Sequence, residues 1–422
     1  MSNKLVESIK ITFHSLKYKN FRYFWVGQCI SLTGTWMQRT AQVWLVYTVT
    51  KSPLLVGILG VCQFMPMLLF SLFAGVIVDR FPKKNLILLT QILFMLQAAI
   101  MTILTFTGRI QYWHVFILSA FYGITQTIDM PARQSFFFEL VGKDDIMNAI
   151  SLNSSIVNLA KIVGPAISGA IMVAFGPVVC FFINAVSYIA VIGGILMIKI
   201  EPYVPKATHR RMLPEISEGL RYIKKSKTLM LNVIVMGIVC TFAMNNDVVI
   251  PVFSRIVLNR GASGYTTLLS AAGVGSFIGA IVMAFISKNG LHKNLLIITG
   301  IATGALQILT LLTKQYALCM LLLAFIGFSN LAFINTANSI FQIYSSDEYR
   351  GRVMSVYSFL NQGSTPIGNF YAGTVMEHIG GDSGFVSCGV ATLLFLFIAI
   401  ACNIKTVKQW MFPATKSNIK LN

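Results

Sequence analysis

The chain has 422 residues, of which 55% are hydrophobic and 11% charged, with a net charge of +19 and a mean hydropathy of +0.72. A soluble domain of ordinary composition carries about 25% charged residues, so this sequence cannot clothe a water-facing surface. Composition therefore excludes a soluble enzyme or a compact basic nucleic-acid module and predicts a protein that lives in a bilayer.

The first twenty residues are basic, and Leu5, Ile9, Phe13 and Leu16 recur at helical spacing, which predicts a short amphipathic helix on the membrane surface. A spanning helix needs about 20 mainly apolar residues. Such runs fall at 21–48, 54–78, 85–107, 113–136, 148–174, 176–199, 229–257, 265–287, 294–313, 316–343, 353–376 and 384–404. Runs of this length predict helices, since barrel strands would be short and alternating. Gly176-Pro177 predicts a tight turn between the fifth and sixth. Between the sixth and seventh lies the long polar segment Glu201 to Thr228, where apolar residues at 213, 216, 220 and 223 predict a helix lying on the surface.

The expected fold is an all-α membrane protein with twelve transmembrane helices in two six-helix, pseudo-symmetric halves. Its parts are 1–200, a linker at 201–228, 229–404 and a tail at 405–422. Faint internal similarity supports the duplication: Lys84-Asn85-Leu86 matches Lys293-Asn294-Leu295, and Pro165 matches Pro366. Most of the 33 Lys and Arg fall on one side, whereas Lys51, Arg109, Arg255, Arg260 and Lys314 fall on the other. By the positive-inside rule both termini are expected in the cytoplasm, with the chain in the plasma membrane. The basic excess also favours contact with anionic lipid headgroups; no nucleic-acid partner is expected.

Several chemistries have no foothold. The seven cysteines all fall inside predicted spans without metal-ligand spacing, and the five histidines are scattered. Gly142-Lys143 lacks the first glycine of a phosphate loop, since Phe137 stands in its place. Neither enzyme activity nor a cofactor or metal is expected.

Behind the second run stands Gly75-Val-Ile-Val-Asp79-Arg80-Phe-Pro-Lys83-Lys84. Asp79 closes that span, where its carboxylate can meet the positive end of a helix or one of the cations Arg133, Arg350 and Arg352. Such a pair can hold one face of the protein shut and release it in another state. Arg80, Lys83 and Lys84 serve either that gate or topology alone. In the fifth run, Gly164, Pro165 and Gly169 suit a bending element, as does Pro366 in the eleventh; close helix packing explains the glycines equally well.

A charge at the bilayer centre costs roughly 2.5–3.5 kcal/mol on insertion scales. Arg39, Asp129, Lys161 and Asp247 nevertheless fall inside predicted spans. Asp129 and Lys161 are expected to share a cavity as a charge pair, serving either proton coupling or a fixed interior salt bridge. Gln38, Gln91, Asn158, Asn184, Asn246, Asn335 and Gln362 are further candidates for lining a cavity, or for bonds between helices.

The loop Gly75-x-x-x-Asp79-Arg80-x-x-Lys83-Lys84 resembles the signature between helices 2 and 3 of the major facilitator superfamily, with Pro82 where that family usually has Gly. Gly164-Pro165-Ala-Ile-Ser168-Gly169 resembles the end of its antiporter motif, with Ser168 for a Gly and the upstream glycines absent. Asn20-Phe-Arg-x-Phe-Trp25, Gly34-Thr-Trp-Met-Gln-Arg39, Asp129-Met-Pro-Ala-Arg133-Gln134 and Arg350-Gly-Arg-Val-Met-Ser355 look like its branch of drug, macrolide and siderophore exporters, which also holds lysophospholipid transporters. The resemblance implies a secondary transporter working by alternating access. Its expected function is proton-coupled export of an amphiphilic small molecule by a monomer, with a lysophospholipid flippase or an importer as the alternative.

Overall fold

A computed structural model describes residues 13–199, 212–287, 290–346 and 348–411, apart from the side chains of 71–73, 75, 76, 79, 143, 144 and 212–217. The expected surface helix within 1–20 falls mainly outside the described residues, as do the surroundings of Gly75 and the side chain of Asp79. The first described element is a 3-10 turn at His14–Lys17.

All regular structure among the described residues is helical. The helices are α1 (Lys19–Thr50), α2 (Pro53–Arg80), α3 (Lys83–Phe106), α4 (Tyr112–Phe175), α5 (Pro177–Met197), α6 (Met212–Lys225), α7 (Lys227–Phe242) and α8 (Asn246–Ile256). They continue with α9 (Ala262–Ile286), α10 (Asn294–Leu309), α11 (Tyr316–Ile343), α12 (Arg350–Gly363), α13 (Thr365–His378), α14 (Ser383–Cys402) and α15 (Ile404–Met411). Among the described residues nine helical stretches are long and apolar enough to cross a membrane. The predicted runs at 21–48, 113–136 and 353–376 are helical but not among those nine.

Three local features differ from the uniform spans predicted. The runs at 113–136 and 148–174 belong to one 64-residue stretch, α4, interrupted at Gly142, whose φ of 74° and ψ of −175° leave helical space. The seventh run is split at Ala243–Asn245. Its freed carbonyls are recapped within the protein: the Asn245 amide donates to Thr241 and Phe242 (2.9 and 3.1 Å), and the Gln307 amide donates to Ala243 (2.8 Å). The eleventh run is split at Ser364, because Pro366 has no N–H to offer the Gln362 carbonyl. The tight turn at Gly176 is present, with φ of 77°.

The chain forms two compact units, Met1–Arg210 with Asn259–Ser270, and Arg211–Leu258 with Ala271–Asn422. In the first, the rings of Phe21, Phe24, Phe136 and Phe137 meet edge to face at 5.6–6.1 Å and close one end of the bundle. In the second, α7 packs through Val235, Met236 and Val239 against Phe333, Phe341 and Trp410. There α6 is fastened to the start of α12: Tyr222 stacks on Tyr349 at 4.6 Å, and Arg352 pairs with Glu218 at 2.7 Å.

Candidate functional site

The first unit encloses a cavity of about 260 Å³. One wall is a stripe on α1, namely Gln28, Ser31, Thr35, Gln38, Arg39 and Gln42, at the three- and four-residue spacing that puts side chains on one helical face. Facing it on α4 are Tyr122, Gln126, Asp129 and Arg133, spaced in the same way. The stripes explain why α1 and the first half of α4 are less apolar than their neighbours: the polar faces look onto a cavity instead of lipid.

Asp129 is buried and fully engaged. Its Oδ1 accepts from Thr90 Oγ1 (2.6 Å) and Gln91 Nε2 (2.9 Å) on α3, while Oδ2 takes the Arg133 guanidinium one turn further along α4. The expected partner Lys161 is not there. Its ammonium lies 5.6 Å from the centre of the Trp36 ring, whose other cation is Arg39 at 4.9 Å. Arg133 wins because a residue four positions on shares the helix face of Asp129. A guanidinium at that range satisfies the carboxylate directly, whereas Lys161 belongs to the part of α4 beyond the Gly142 break.

Beside the cavity runs a chain of carboxamides. Asn184 Nδ2 donates to Gln38 Oε1 (2.9 Å) and Gln38 Nε2 to Gln97 Oε1 (2.8 Å), while Ser187 Oγ donates to the Asn184 main-chain carbonyl (2.7 Å); the Gln97 Nε2 has no acceptor. Gln42 donates to Ser119, and Tyr188 shares a hydrogen bond with Thr35. Phe94 lies 4.7 Å from Tyr122 and 5.8 Å from Tyr188, giving the cavity an aromatic side.

The glycine-proline motif is a crossing point. A side chain on Gly164 would sit 2.6 Å from the Trp36 Cβ, so α4 and α1 touch there only because Gly164 has none. Ser168, one turn along, donates to the Met37 carbonyl at 3.2 Å, which gives the departure from glycine a purpose. Gly169 packs equally closely on Thr266, and in the second unit Gly368 packs on the Thr241 carbonyl beside Pro366.

The loop charges are dispersed. Lys84 donates to the Ile198 carbonyl at 2.7 Å, and Asn20 to that of Lys199 at 2.8 Å, so both cap the end of α5. Lys83 is buried and engaged, and Arg80 is exposed. Of the three cations expected to gate with Asp79, whose side chain lies outside the described residues, Arg133 pairs with Asp129 and Arg352 with Glu218, and Arg350 also has a partner. In the second unit, Asp247 lies in the first turn of α8 and is also engaged, while the Asn246 Oδ1 is buried without a partner. Asn158 and Asn335 are half-buried, and neither borders the cavity. Sequence reasoning missed Gln28, Trp36 and Tyr122; the α1 spacing of polar residues was the signal that could have found the first.

The sequence model of a family described as transmembrane secretion effectors matches residues 10–419. The staphyloferrin A transporter of Staphylococcus aureus is 23% identical over 389 residues, 91% of this chain and 96% of that protein. The multidrug efflux pump Tap of Mycolicibacterium fortuitum is 24% identical, covering 85% of this chain and 89% of its own length. A bacterial homolog of the human lysosomal transporter Spinster superposes with a TM-score of 0.70 at 14% identity, over 93% of this chain and 98% of that one.

Proposed function

Since this chain belongs to the transmembrane secretion effector family of major facilitator transporters, which are transporters and not enzymes, we propose that it exports a small amphiphilic molecule by alternating access, driven by protons. We read the nine apolar stretches found among the described residues, together with the helices at 19–50, 112–141 and 350–378, as twelve spans in two six-helix halves, 1–200 and 229–404, with both termini in the cytoplasm of a plasma-membrane monomer. The linker is 201–228 and the tail 405–422. The relative named as a multidrug efflux pump supports the outward direction, and the one named as a staphyloferrin A transporter supports a small-molecule solute.

The observation that carries the reading is the Asp129–Arg133 pair, sunk in a bundle of apolar helices and bordering a cavity. Buried ion pairs are expensive to hold and expensive to break from one side. Protonation of Asp129 releases Arg133 and loosens the grip of Thr90 and Gln91, so a proton re-sets α3 against α4. An inward proton then drives the change that carries solute outward, with each charge worth about 2.3 kcal/mol per 100 mV. The test is reconstitution of Asp129→Asn in vesicles with an imposed pH gradient. We expect gradient-driven export to disappear while solute equilibration down its own gradient persists; undiminished gradient-driven export overturns the coupling role.

A further inference from the structure

We propose that Thr90 is the hydrogen-bond switch that lets the buried Asp129 take up a proton: its hydroxyl donates to the carboxylate in the charged state and accepts from the carboxyl in the neutral one. The proposal rests on the proton-coupling reading and deepens it.

Three groups bond the Asp129 carboxylate, and two of them only donate. The Arg133 guanidinium holds Oδ2, and the Gln91 Nε2 reaches Oδ1 at 2.9 Å; neither offers a lone pair to an O–H. Thr90 Oγ1, 2.6 Å from Oδ1, both donates and accepts. Its single hydrogen also has a second destination, because the Ile87 main-chain carbonyl, one turn back on α3, lies 2.8 Å away. One hydrogen cannot fully serve two acceptors.

Two complete arrangements follow with the heavy atoms in place. While Asp129 is ionised, Thr90 gives its hydrogen to Oδ1. Once a proton from the cavity sits on Oδ1, the new O–H donates to Thr90 Oγ1, and the Thr90 hydrogen turns to the Ile87 carbonyl. One O–H bond forms, and Thr90 keeps its own throughout. Without that turn the carboxyl hydrogen would be buried with no acceptor, which costs its full desolvation. A competing acceptor is the Gln91 Oε1, buried and without a donor. Presenting it means turning over a whole carboxamide that is 0% exposed, and gives up the Nε2 bond. A hydroxyl rotation requires neither.

The two states tie the helices differently. In the charged state Thr90 spends its hydrogen on α4, in a charge-assisted bond roughly twice as strong as a neutral one. In the neutral state it spends it within α3. Among the described residues, the other titratable and charged side chains bordering the same cavity are Arg133 and Tyr122 on α4, Arg39 on α1 and Tyr188 on α5; the Tyr188 hydroxyl already shares a hydrogen bond with Thr35.

The test is the infrared difference spectrum between acid and alkaline buffer of the purified full chain in lipid. The C=O band of protonated Asp129, identified by its loss in Asp129→Asn, is expected to move to higher frequency in Thr90→Val, which keeps the shape but takes no hydrogen bond, and to return in Thr90→Ser. Should Thr90→Val fail to fold, Thr90→Ala, which adds no atom, takes its place. In proteoliposomes, gradient-driven export of rhodamine 6G is expected to fall about tenfold in Thr90→Val and to recover in Thr90→Ser. A band that Thr90→Val leaves unmoved, or no Asp129 band at all, overturns the proposal. A band that obeys Thr90 beside undiminished export in Asp129→Asn overturns the coupling reading and leaves the switch standing; export lost in Asp129→Asn with a band indifferent to Thr90 does the reverse.

Discussion

Gly164 lies against Trp36, so close that a methyl group on the glycine would fall 2.6 Å from the tryptophan Cβ. Trp36 in turn carries Arg39 on one side and Lys161 nearby, which ties the glycine to the charge placement of the cavity. Gly164→Ala is therefore expected to cost about 1–3 kcal/mol through overpacking, read as a lower Tm of the detergent-solubilised protein. Gly193→Ala, with nothing within 4 Å of the new carbon, is expected to hold or raise the Tm, because alanine favours the helix.

Arg133 and Asp129 form a pair whose members depend on each other. Removing Arg133 alone as Arg133→Gln leaves a buried carboxylate held by Thr90 and Gln91 only, at a cost of about 3–5 kcal/mol. The double variant Asp129→Asn with Arg133→Gln is expected to recover most of that loss. Thermal unfolding of the two single variants and the double checks it, and additive losses would contradict it.

In the signature loop, Lys84 caps the end of α5. Lys84→Met leaves the Ile198 carbonyl without its donor and is expected to cost about 1–2 kcal/mol, with Lys84→Arg close to wild type. Arg80→Ala, at an exposed position, is expected to leave the Tm unchanged. The reverse ranking would return these charges to a gating role.

The linker helix α6 is held by Tyr222. Its ring stacks on Tyr349, and its hydroxyl accepts the Ser346 N–H at 3.0 Å. Tyr222→Ala is expected to speed limited proteolysis within 212–225 several-fold, and Tyr222→Phe much less, because the stack contributes about 0.5–1.5 kcal/mol without the hydroxyl. Equal rates for both variants would shift the credit to the hydrogen bond.

At the N-terminal turn, Lys17 pairs with Asp145 at 2.8 Å, and Tyr18 donates to the same carboxylate at 2.7 Å. The carboxylate raises the Lys17 ammonium above the ordinary 10.5. A raised value means that this anchoring is complete below 10.5 and lost only as pH climbs through the folded value. Amide exchange over 14–18, corrected for intrinsic rates, is expected to keep the same protection from pH 7 to 9 and to lose it in Asp145→Asn. Protection that already fades in that range would contradict the pairing.

Long apolar runs made the helices legible from sequence, and Gly176-Pro177 its turn, because those signals are local. The breaks at Ala243–Asn245 and Ser364 were harder to see. Each lies inside a run hydrophobic enough to pass as continuous, and the first needs Gln307, distant in sequence, to cap its carbonyls. Asp129 stood out as a buried charge, but its partner did not: apolar context announces that a carboxylate must be paired and leaves open which cation reaches it. Gln38 was legible as polar within a span, whereas Gln97 gains its meaning only from the bond it makes across helices.

The carboxamide bonds run one way. From Asn184 through Gln38 to Gln97, each amide donates to the next, and the last holds a donor it cannot pass on. Turning the Gln38 amide over would set nitrogen against nitrogen at Asn184 and oxygen against oxygen at Gln97, so both neighbours fix its orientation. Three helices are thereby fastened through one side chain, and the loss of Gln38 would undo the ties to α3 and α5 at once.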